Sequence, residues 1–248
     1  MITAYIALIL FFINPPKENH VARGDEYYLA LDNKHALSEY EQAYKESPTD
    51  YNSLLRMVRI YNDNGKIHLH KDKVSESEYR TAIMYADSLE RYYPNSAETQ
   101  FWIALAKGSL IPFVGVWEKI AIGKEVKKRV QNSLKLDSTF SYPYVIRAIF
   151  EREGAKLSWL EKGIVRVVFG ENLAGTLEAS EQNLKTALRY DPVNSFAYYE
   201  LYLTYQAMGD AAQAAASLRR ILLLQPKNLR EKYQQEEARQ HLSELSQK

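Results

Sequence analysis

The chain has 248 residues, of which 46% are apolar and 25% charged, the balance of an ordinary soluble globular protein. Its 32 Lys and Arg residues offset 31 Asp and Glu, so a net charge of +1 gives no overall field for binding nucleic acid. The absence of cysteine excludes disulfides, thiolate metal ligands and cysteine nucleophiles.

An almost unbroken apolar run, Ile2 to Ile13, opens the chain and ends at Asn14, Pro15 and Pro16. The run has the length of a signal-peptide core and falls short of the ~20 residues needed to span a bilayer. No Lys or Arg precedes it and no small-residue cleavage site follows, so an apolar first helix docked on the rest of the protein is the alternative. We expect residues 1–16 to be a signal peptide or anchor of an exported or periplasmic protein, with a cytoplasmic protein as the alternative, and residues 17–248 to form a single domain.

A two-helix unit is clearest between Ser195 and Pro226. Large residues at helical spacing on its first helix face small or branched residues on its second, which lets the two helix axes approach closely. Gly209-Asp210 turns the chain between the helices, and Pro226 stops the second helix because proline cannot continue it. The residues that carry this pattern are Tyr198, Leu201, Tyr202 and Tyr205, then Ala214, Leu218 and Ile221.

The same helix ending recurs four times upstream, with small or apolar residues at helical spacing before a Pro or, once, a Ser. The endings are Ala36, Tyr40, Ala43 and Pro48; Ala82, Ala86, Leu89 and Pro94; Val126, Val130, Ser133 and Ser138; and Ser180, Leu184, Ala187 and Pro192. After Lys227, a polar helix with Leu229, Tyr233, Leu242 and Leu245 on one stripe is typical of the cap that such an array needs to stay soluble. We therefore predict an all-α, tetratricopeptide-like α-solenoid of five irregular helix pairs with a C-terminal capping helix.

The spacing between unit endings locates extra residues. Pro192 and Pro226 are 34 residues apart, whereas the three preceding spacings are 46, 44 and 54. The surplus falls at Gly65 to Val74, Gly108 to Val116 and Gly154 to Gly170, in each case between the first helix (A) and the second helix (B) of a unit. These turns share one edge of a solenoid, the A–B edge, and insertions gathered on one face often mark the working face.

The inserted segments suggest binding rather than chemistry. His68-x-His70 lacks a third metal ligand, so we interpret it as a solvated loop. Gly108 to Trp117 is apolar and interrupted by Pro112, so it either tucks into the solenoid or lines a ligand or partner surface. Lys156 to Phe169 is predicted to be an extra helix, either a lid over a pocket or part of the core.

The concave wall offers further candidates, because helix A directs one set of its positions into the groove of such a solenoid. Two units would contribute mixed residues suited to a peptide or an amphipathic acid: Asn52, Leu55, Arg59 and Asn62, and Phe196, Tyr199, Leu203 and Gln206. Together with the inserted aromatics, the predicted binding residues are Arg59, Phe113, Trp117, Trp159 and Tyr199. No nucleophile–base pair, paired carboxylate motif, phosphate loop or metal spacing is present, so we predict no enzyme, no catalytic residue, no metal and no cofactor.

From about Ser75 to the C-terminus the chain resembles a branch of tetratricopeptide proteins that includes the T-component lipoproteins of TRAP transporters and the regulator of microtubule dynamics proteins. The residues that carry the resemblance are Phe101-Trp102-Ile103-Ala104, Gly108 to Trp117, Leu136-Asp137, Leu157-Ser158-Trp159-Leu160-Glu161, Phe169-Gly170-Glu171 and Asp191-Pro192. The resemblance implies irregular units and, for the transporter relatives, a pore or pocket for small hydrophobic ligands. The cysteine that anchors those lipoproteins to lipid is absent here.

Two functions follow from these features. The first is a scaffold whose groove binds a protein or peptide partner, and the second is an exported accessory protein that binds a small hydrophobic ligand. A closed pocket beneath Trp117 and Trp159 would favour the second function, and an open groove would favour the first. In either case we expect no nucleic acid partner and membrane contact only through the N-terminal segment.

Overall fold

The computed structural model of the chain describes residues 19–68, 72–158, 163, 166–167 and 175–245. Within these residues there are eleven α-helices, one short 3-10 helix (Ile111–Phe113) and no strand. The α-helices are α1 (His20–Leu29), α2 (Asn33–Glu46), α3 (Tyr51–Ile67), α4 (Asp72–Tyr92), α5 (Ala97–Ser109), α6 (Val116–Leu136), α7 (Tyr142–Lys156), α8 (Leu177–Tyr190), α9 (Ser195–Met208), α10 (Ala211–Leu223) and α11 (Leu229–Leu245).

The helices pack as five consecutive pairs, α1/α2, α3/α4, α5/α6, α7/α8 and α9/α10, followed by α11 against α10. Each second helix ends two or three residues before the Pro or Ser that the repeat pattern singled out. The predicted all-α solenoid of five pairs and a cap is therefore confirmed. The proposed N-terminal targeting segment lies outside the described residues, and no helix within the described part is long and apolar enough to cross a bilayer.

Local chemistry explains where the helices start and stop. Asp50 and Asn194 are the N-caps of α3 and α9. Each side chain accepts a hydrogen bond from the backbone N–H three residues later, at 2.8 Å for Asp50 and 3.0 Å for Asn194. Asp210 caps α10 in the same way, at 3.0 Å from the Gln213 N–H. Gly209 adopts φ 77°, the left-handed conformation that ends α9 and allows the tight turn of the plain unit.

Close helix approach in the first two units depends on glycine opposite a buried tyrosine. Gly24 lies against the ring of Tyr40, and Gly65 lies against the ring of Tyr79. A β-carbon added at Gly24 would sit 2.4 Å from a Tyr40 ring carbon, and Tyr40 is fully buried. The absence of a side chain at these two glycines therefore sets the spacing of each helix pair.

Helix extension accounts for most of the insertion in the second unit and for part of the surplus in the third. Helix α3 runs through Gly65 to Ile67 and α4 begins at Asp72, so little of the Gly65 to Val74 stretch is left as a connection. In the third unit, Val116 already starts α6, which is 21 residues long, whereas α10 of the plain unit has 13. The prediction of an inserted turn was therefore wrong for most of Gly65 to Val74, whereas in the third unit residues 110–115 do connect the two helices, as predicted, with a short 3-10 helix at Ile111–Phe113. The proposed extra helix at Lys156 to Phe169 lies largely outside the described residues.

The last helix does more than cap the array. Leu242 and Leu245 pack on the core of the last unit as predicted, but Tyr233 is 43% exposed, and Gln234 and Ala238 lie on the packed stripe instead. Helix α11 also contacts α3 of the second unit, far back along the chain. The solenoid therefore curls far enough for its C-terminal helix to close the concave side.

The glycine–tyrosine contacts give a stability prediction. Gly24→Ala should lower the free energy of unfolding by about 1–3 kcal/mol, because the new methyl group overlaps a buried ring that has no room to move. Gly108→Ala is the matched control, since its β-carbon would meet only Val126 at an ordinary 3.8 Å. That control should be neutral or stabilising by up to about 1 kcal/mol. Urea unfolding with an unchanged slope would measure both, and equal effects of the two changes would contradict the packing argument.

Candidate functional site

A pocket of about 420 Å³ lies on the concave side of the solenoid. Helix A of units one, two, three and five contributes to its wall, as does the start of α7 in unit four. The start of α11 and the segment before it complete the wall. Its lining residues are Asp25, Tyr28, Leu29, Arg59, Asp63, Glu98, Phe101, Trp102, Leu105, Phe140, Tyr142, Ser195, Phe196, Lys227, Asn228, Arg230, Glu231 and Gln234. We call this cavity the concave pocket.

One wall of the concave pocket is aromatic. The Phe101 ring lies 5.2 Å from that of Trp102 and 5.4 Å from those of Phe140 and Tyr142, in edge or tilted arrangements. Aromatic clusters prefer these offset geometries. Burial raises the pKa of Tyr142 to about 12, so its hydroxyl stays protonated at neutral pH.

The opposite wall is charged and comes mainly from α3. Arg59 donates hydrogen bonds to the Asp25 carboxylate and to the Tyr40 hydroxyl, both 3.1 Å long. Its guanidinium also makes a cation–π contact with Tyr28, 4.0 Å from the ring centroid. Its Nε is buried without a hydrogen-bond partner among the described residues. Asp25 also accepts from Arg56, and these contacts hold its pKa below the ordinary value although burial alone would raise it.

The third side of the pocket comes from the far end of the chain. Arg230 on α11 places its guanidinium 5.1 Å from the Phe196 ring centroid and 3.5 Å from the Asp63 carboxylate. Asp63 is buried and accepts a short hydrogen bond from the Tyr28 hydroxyl. Burial, together with this carboxylate, raises the pKa of Tyr28 well above its ordinary value. The pocket therefore has a cation facing both an aromatic ring and a carboxylate.

A second buried charge cluster lies farther along the same helices. The Lys66 ammonium lies 5.9 Å from the Tyr199 ring centroid, and burial lowers the pKa of Lys66. On the same helix as Tyr199, Glu200 accepts from Arg152 at 2.5 Å with both side chains buried, and burial raises the pKa of Glu200. These groups join α3, α7 and α9 across the interior. Nowhere in the described part of the chain do three His, Cys, Asp or Glu side chains gather to hold a metal ion.

The predicted site residues do not come together in one place. Of the four that the structure describes, only Arg59 lines the concave pocket. Tyr199 lies next to Lys66, and burial raises the pKa of the Tyr199 hydroxyl. Phe113 contacts Tyr79, with ring centroids 6.0 Å apart. Trp117 is 79% exposed on the A–B edge and is not among the residues that line the concave pocket. Trp159 lies outside the described residues.

Sequence reasoning missed most of the pocket. Phe101 and Trp102 were noted only as carriers of a resemblance, although they stand on helix A of their unit, as Arg59 and Phe196 do on theirs. Leu55 and Asn62 were predicted to face the groove but are buried in helix packing, and Asn62 donates to the carbonyl of Val58. Applying the same spacing to the third unit would have selected Glu98, Phe101 and Leu105, which all line the pocket, but it would have missed Trp102.

Comparisons with known proteins agree with this architecture. The family model described as Regulator of microtubule dynamics protein 1-3 matches residues 21–246. Regulator of microtubule dynamics protein 2 of Rattus norvegicus is 24% identical over 204 residues, which cover 79% of this chain and 45% of that protein. The same protein of Mus musculus is also 24% identical. That alignment covers 71% of this chain and 50% of the mouse protein. The chain thus spans about half the length of these curated relatives.

A solved structure supports the fold. The crystal structure of TTC0263, a thermophilic TPR protein of Thermus thermophilus, superposes with a TM-score of 0.61 at 18% identity. The superposition covers 89% of this chain and 97% of that one. The tetratricopeptide architecture inferred from the repeat pattern is therefore confirmed, and the family match falls on the regulator of microtubule dynamics side of the resemblance.

The shared carboxylate of Asp25 gives a prediction for the charged wall. Asp25→Ala should lower the free energy of unfolding by about 1–3 kcal/mol at pH 7, because Arg56, Arg59 and Tyr40 lose a common acceptor. The matched control is Glu76→Ala, which removes an exposed ion pair with Arg80 and should change stability by less than about 0.5 kcal/mol.

The pH dependence of that difference follows from the direction of the Asp25 pKa shift. The folded-state pKa of Asp25 lies below the ordinary value of 3.8, so its contribution is present above that value and is lost as pH falls through the folded pKa. The stability gap between wild type and Asp25→Ala should therefore narrow in acid. A gap that stays constant from pH 7 to about pH 3 would contradict this role for the carboxylate.

Proposed function

This chain belongs to the Regulator of microtubule dynamics protein 1-3 family, and from that premise we propose that it is a non-enzymatic interaction scaffold. In this proposal a segment of a protein partner inserts one or two side chains into the concave pocket. The observation that carries the proposal is the pairing of an aromatic wall with the Arg59–Asp63–Arg230 wall across one cavity.

The chemistry of the pocket supports a protein ligand with an apolar or aromatic side chain next to a charged group. Aromatic anchors in desolvated pockets carry much of the affinity at protein interfaces, and a neighbouring charge fixes their orientation. A cavity of about 420 Å³ suits one or two side chains rather than a long extended peptide. The rest of a partner would lie on the rim, where Leu29 is 63% exposed.

The family name suggests which partners to test first. Because the relatives are named as regulators of microtubule dynamics, polymerised tubulin and proteins that bind microtubules are the natural probes. The chain spans about half of those relatives, so we propose this link only for the solenoid and its pocket.

A small amphipathic ligand is a second candidate. The cavity volume falls within the usual range for small-molecule sites, and its mixed lining would suit an apolar body with a charged head. This is the ligand class that the resemblance to TRAP-transporter lipoproteins implied. A ligand in the pocket would be detected by native mass spectrometry of protein purified from its own cells.

A pair of charge insertions tests the scaffold proposal. Leu29→Glu places a carboxylate at the exposed pocket rim, and Leu223→Glu places one at a similarly exposed leucine outside the pocket, where Leu223 is 76% exposed. We expect Leu29→Glu to reduce capture of partners from cell extract, or co-sedimentation with microtubules, by at least ~10-fold, because the new charge must be desolvated on binding. Leu223→Glu should bind as wild type does.

Three results decide between the candidates. A protein partner sensitive to Leu29→Glu alone supports the scaffold. A co-purifying small molecule lost in Leu29→Glu, with protein capture unchanged, supports the second candidate instead. Capture that is equal in wild type and both variants, with no bound small molecule, contradicts both uses of the pocket.

A further inference from the structure

The aromatic wall of the concave pocket has no cation against it. The rings that form this wall are Phe101, Trp102, Phe140 and Tyr142, and they contact one another. Among the described residues no Lys or Arg lies over any of the four rings. Two other rings on the concave side are already covered, that of Tyr28 by Arg59 and that of Phe196 by Arg230. Since the faces of aromatic rings attract cations, above all in a desolvated site, the wall is open to a cation from outside the chain.

The two arginines of the pocket already have carboxylate partners. Arg59 lies 3.1 Å from Asp25, and Arg230 lies 3.5 Å from Asp63. An anionic ligand that approached either guanidinium would compete with the carboxylate in place. The charged lining residues left over after this pairing are Glu98, Lys227 and Glu231.

Glu231, in the first turn of α11, is a carboxylate whose charge is only partly compensated. It accepts a hydrogen bond from the backbone N–H of Lys227 at 2.8 Å but makes no ion pair with any described residue. Burial raises the pKa of Glu231 in spite of the N–H and the ammonium of Lys227, which lower it, and the charge of Asp63 adds to the increase. The Lys227 side chain is exposed, so solvent screens its charge. Glu231 is also close to the aromatic wall, because after burial its charge contributes most to raising the pKa of Tyr142 to about 12.

Two further polar groups lie at the same wall. Glu98 precedes Phe101 and Trp102 on α5 by three and four residues, so the three share one face of the helix. Its carboxylate accepts from the Tyr51 hydroxyl at 3.0 Å and makes no ion pair within the described chain. The Tyr142 hydroxyl has no hydrogen-bond partner among the described residues, so its oxygen is available to a donor on a ligand.

We propose that the concave pocket binds an arginine side chain of a protein partner, stacked on the aromatic wall with Glu231 as its main counter-charge. This inference rests on the proposed function, since it names the side chain that the partner inserts. Arginine suits the site better than lysine, because a planar guanidinium stacks on aromatic rings and is more weakly hydrated than an ammonium group. Its several N–H donors also allow it to bind a carboxylate and the Tyr142 hydroxyl at the same time.

Three blocked tripeptides test this proposal in the full-length chain: Leu-Arg-Leu, Leu-citrulline-Leu and Leu-Glu-Leu. Citrulline has the shape of arginine without its charge. Binding would be followed by NMR through the indole N–H signals of two tryptophans. Trp102 reports on the pocket, and Trp117, which is 79% exposed and does not line the pocket, reports on non-specific association.

We expect Leu-Arg-Leu to shift the Trp102 signal saturably and to leave the Trp117 signal in place. The citrulline peptide should bind at least ~10-fold more weakly, because both the cation–π contact and the ion pair require the charge. The glutamate peptide should not bind. This comparison uses the wild-type chain, so it decides the question whether or not a variant folds.

A pair of isosteric variants then locates the counter-charge. Glu231→Gln keeps the size of the side chain and an oxygen to accept from Lys227, and it should weaken Leu-Arg-Leu by ~10-fold or more. Glu236→Gln is the matched control, since it removes the same charge from an exposed position on the same helix. That control should bind as wild type does.

Several results would overturn the proposal. These are no binding of Leu-Arg-Leu, equal binding of the arginine and citrulline peptides, tighter binding of the glutamate peptide, or equal losses in Glu231→Gln and Glu236→Gln. A Trp117 signal that moves together with that of Trp102 would overturn it as well.

Failure of this inference is distinguishable from failure of the scaffold itself. A captured partner that is lost in Leu29→Glu but retained in Glu231→Gln would leave the scaffold standing and contradict arginine as the inserted side chain. A partner lost in both variants, but retained in Glu236→Gln, is the result that we expect.

Discussion

The carboxylate of Asp63 lies where three distant parts of the chain meet. It accepts from Tyr28 on α1 and faces Arg230 on α11, a residue 167 positions later in the sequence. A buried ionic contact contributes little net stability, because desolvating both charges offsets most of their attraction. Its use is to specify which part of α11 meets α3, and therefore how far the solenoid curls. The Ser195 hydroxyl, which donates to Gln234 at 3.0 Å, holds α11 against α9 at the same cavity.

How much of this could be predicted from the sequence depends on whether the determining contacts are local. The five unit endings follow from short-range chemistry, namely small residues at a helix crossing and, in four of the five, a proline that stops the helix, and all five are confirmed. The contact of Arg230 with Asp63 joins residues far apart in the sequence, so the repeat pattern does not predict it. On α3 the interior stripe is Arg59, Asp63 and Lys66, at spacings of four and three. The sequence analysis predicted Asn62 at this face, but the Asn62 amide donates a hydrogen bond to the carbonyl of Val58 on the same helix.

In the concave pocket, Arg59 and Arg230 are already paired with carboxylates, so a ligand enters a preorganised site and few side chains need to be reordered. At the A–B edge the exposed Trp117 has both an acidic neighbour, Glu118, and a basic one, Lys119.

The form of the insertions bears on what the edge does. Helix B of the second and third units is 21 residues long, against 13 in the plain fifth unit. Their C-terminal ends keep the register of the other units, so the surplus lies at their N-terminal ends, at the A–B edge. Eight residues at 1.5 Å each carry that edge about 12 Å beyond the body of a plain unit.

Stability alone would not require this projection, because the plain unit packs well without it. Helical extensions lose less on docking than flexible loops would, since they are already ordered before a ligand arrives. A rigid projection that ends in Val116 and Trp117, both mostly exposed, is therefore better explained by contact with a surface outside the protein than by packing within it.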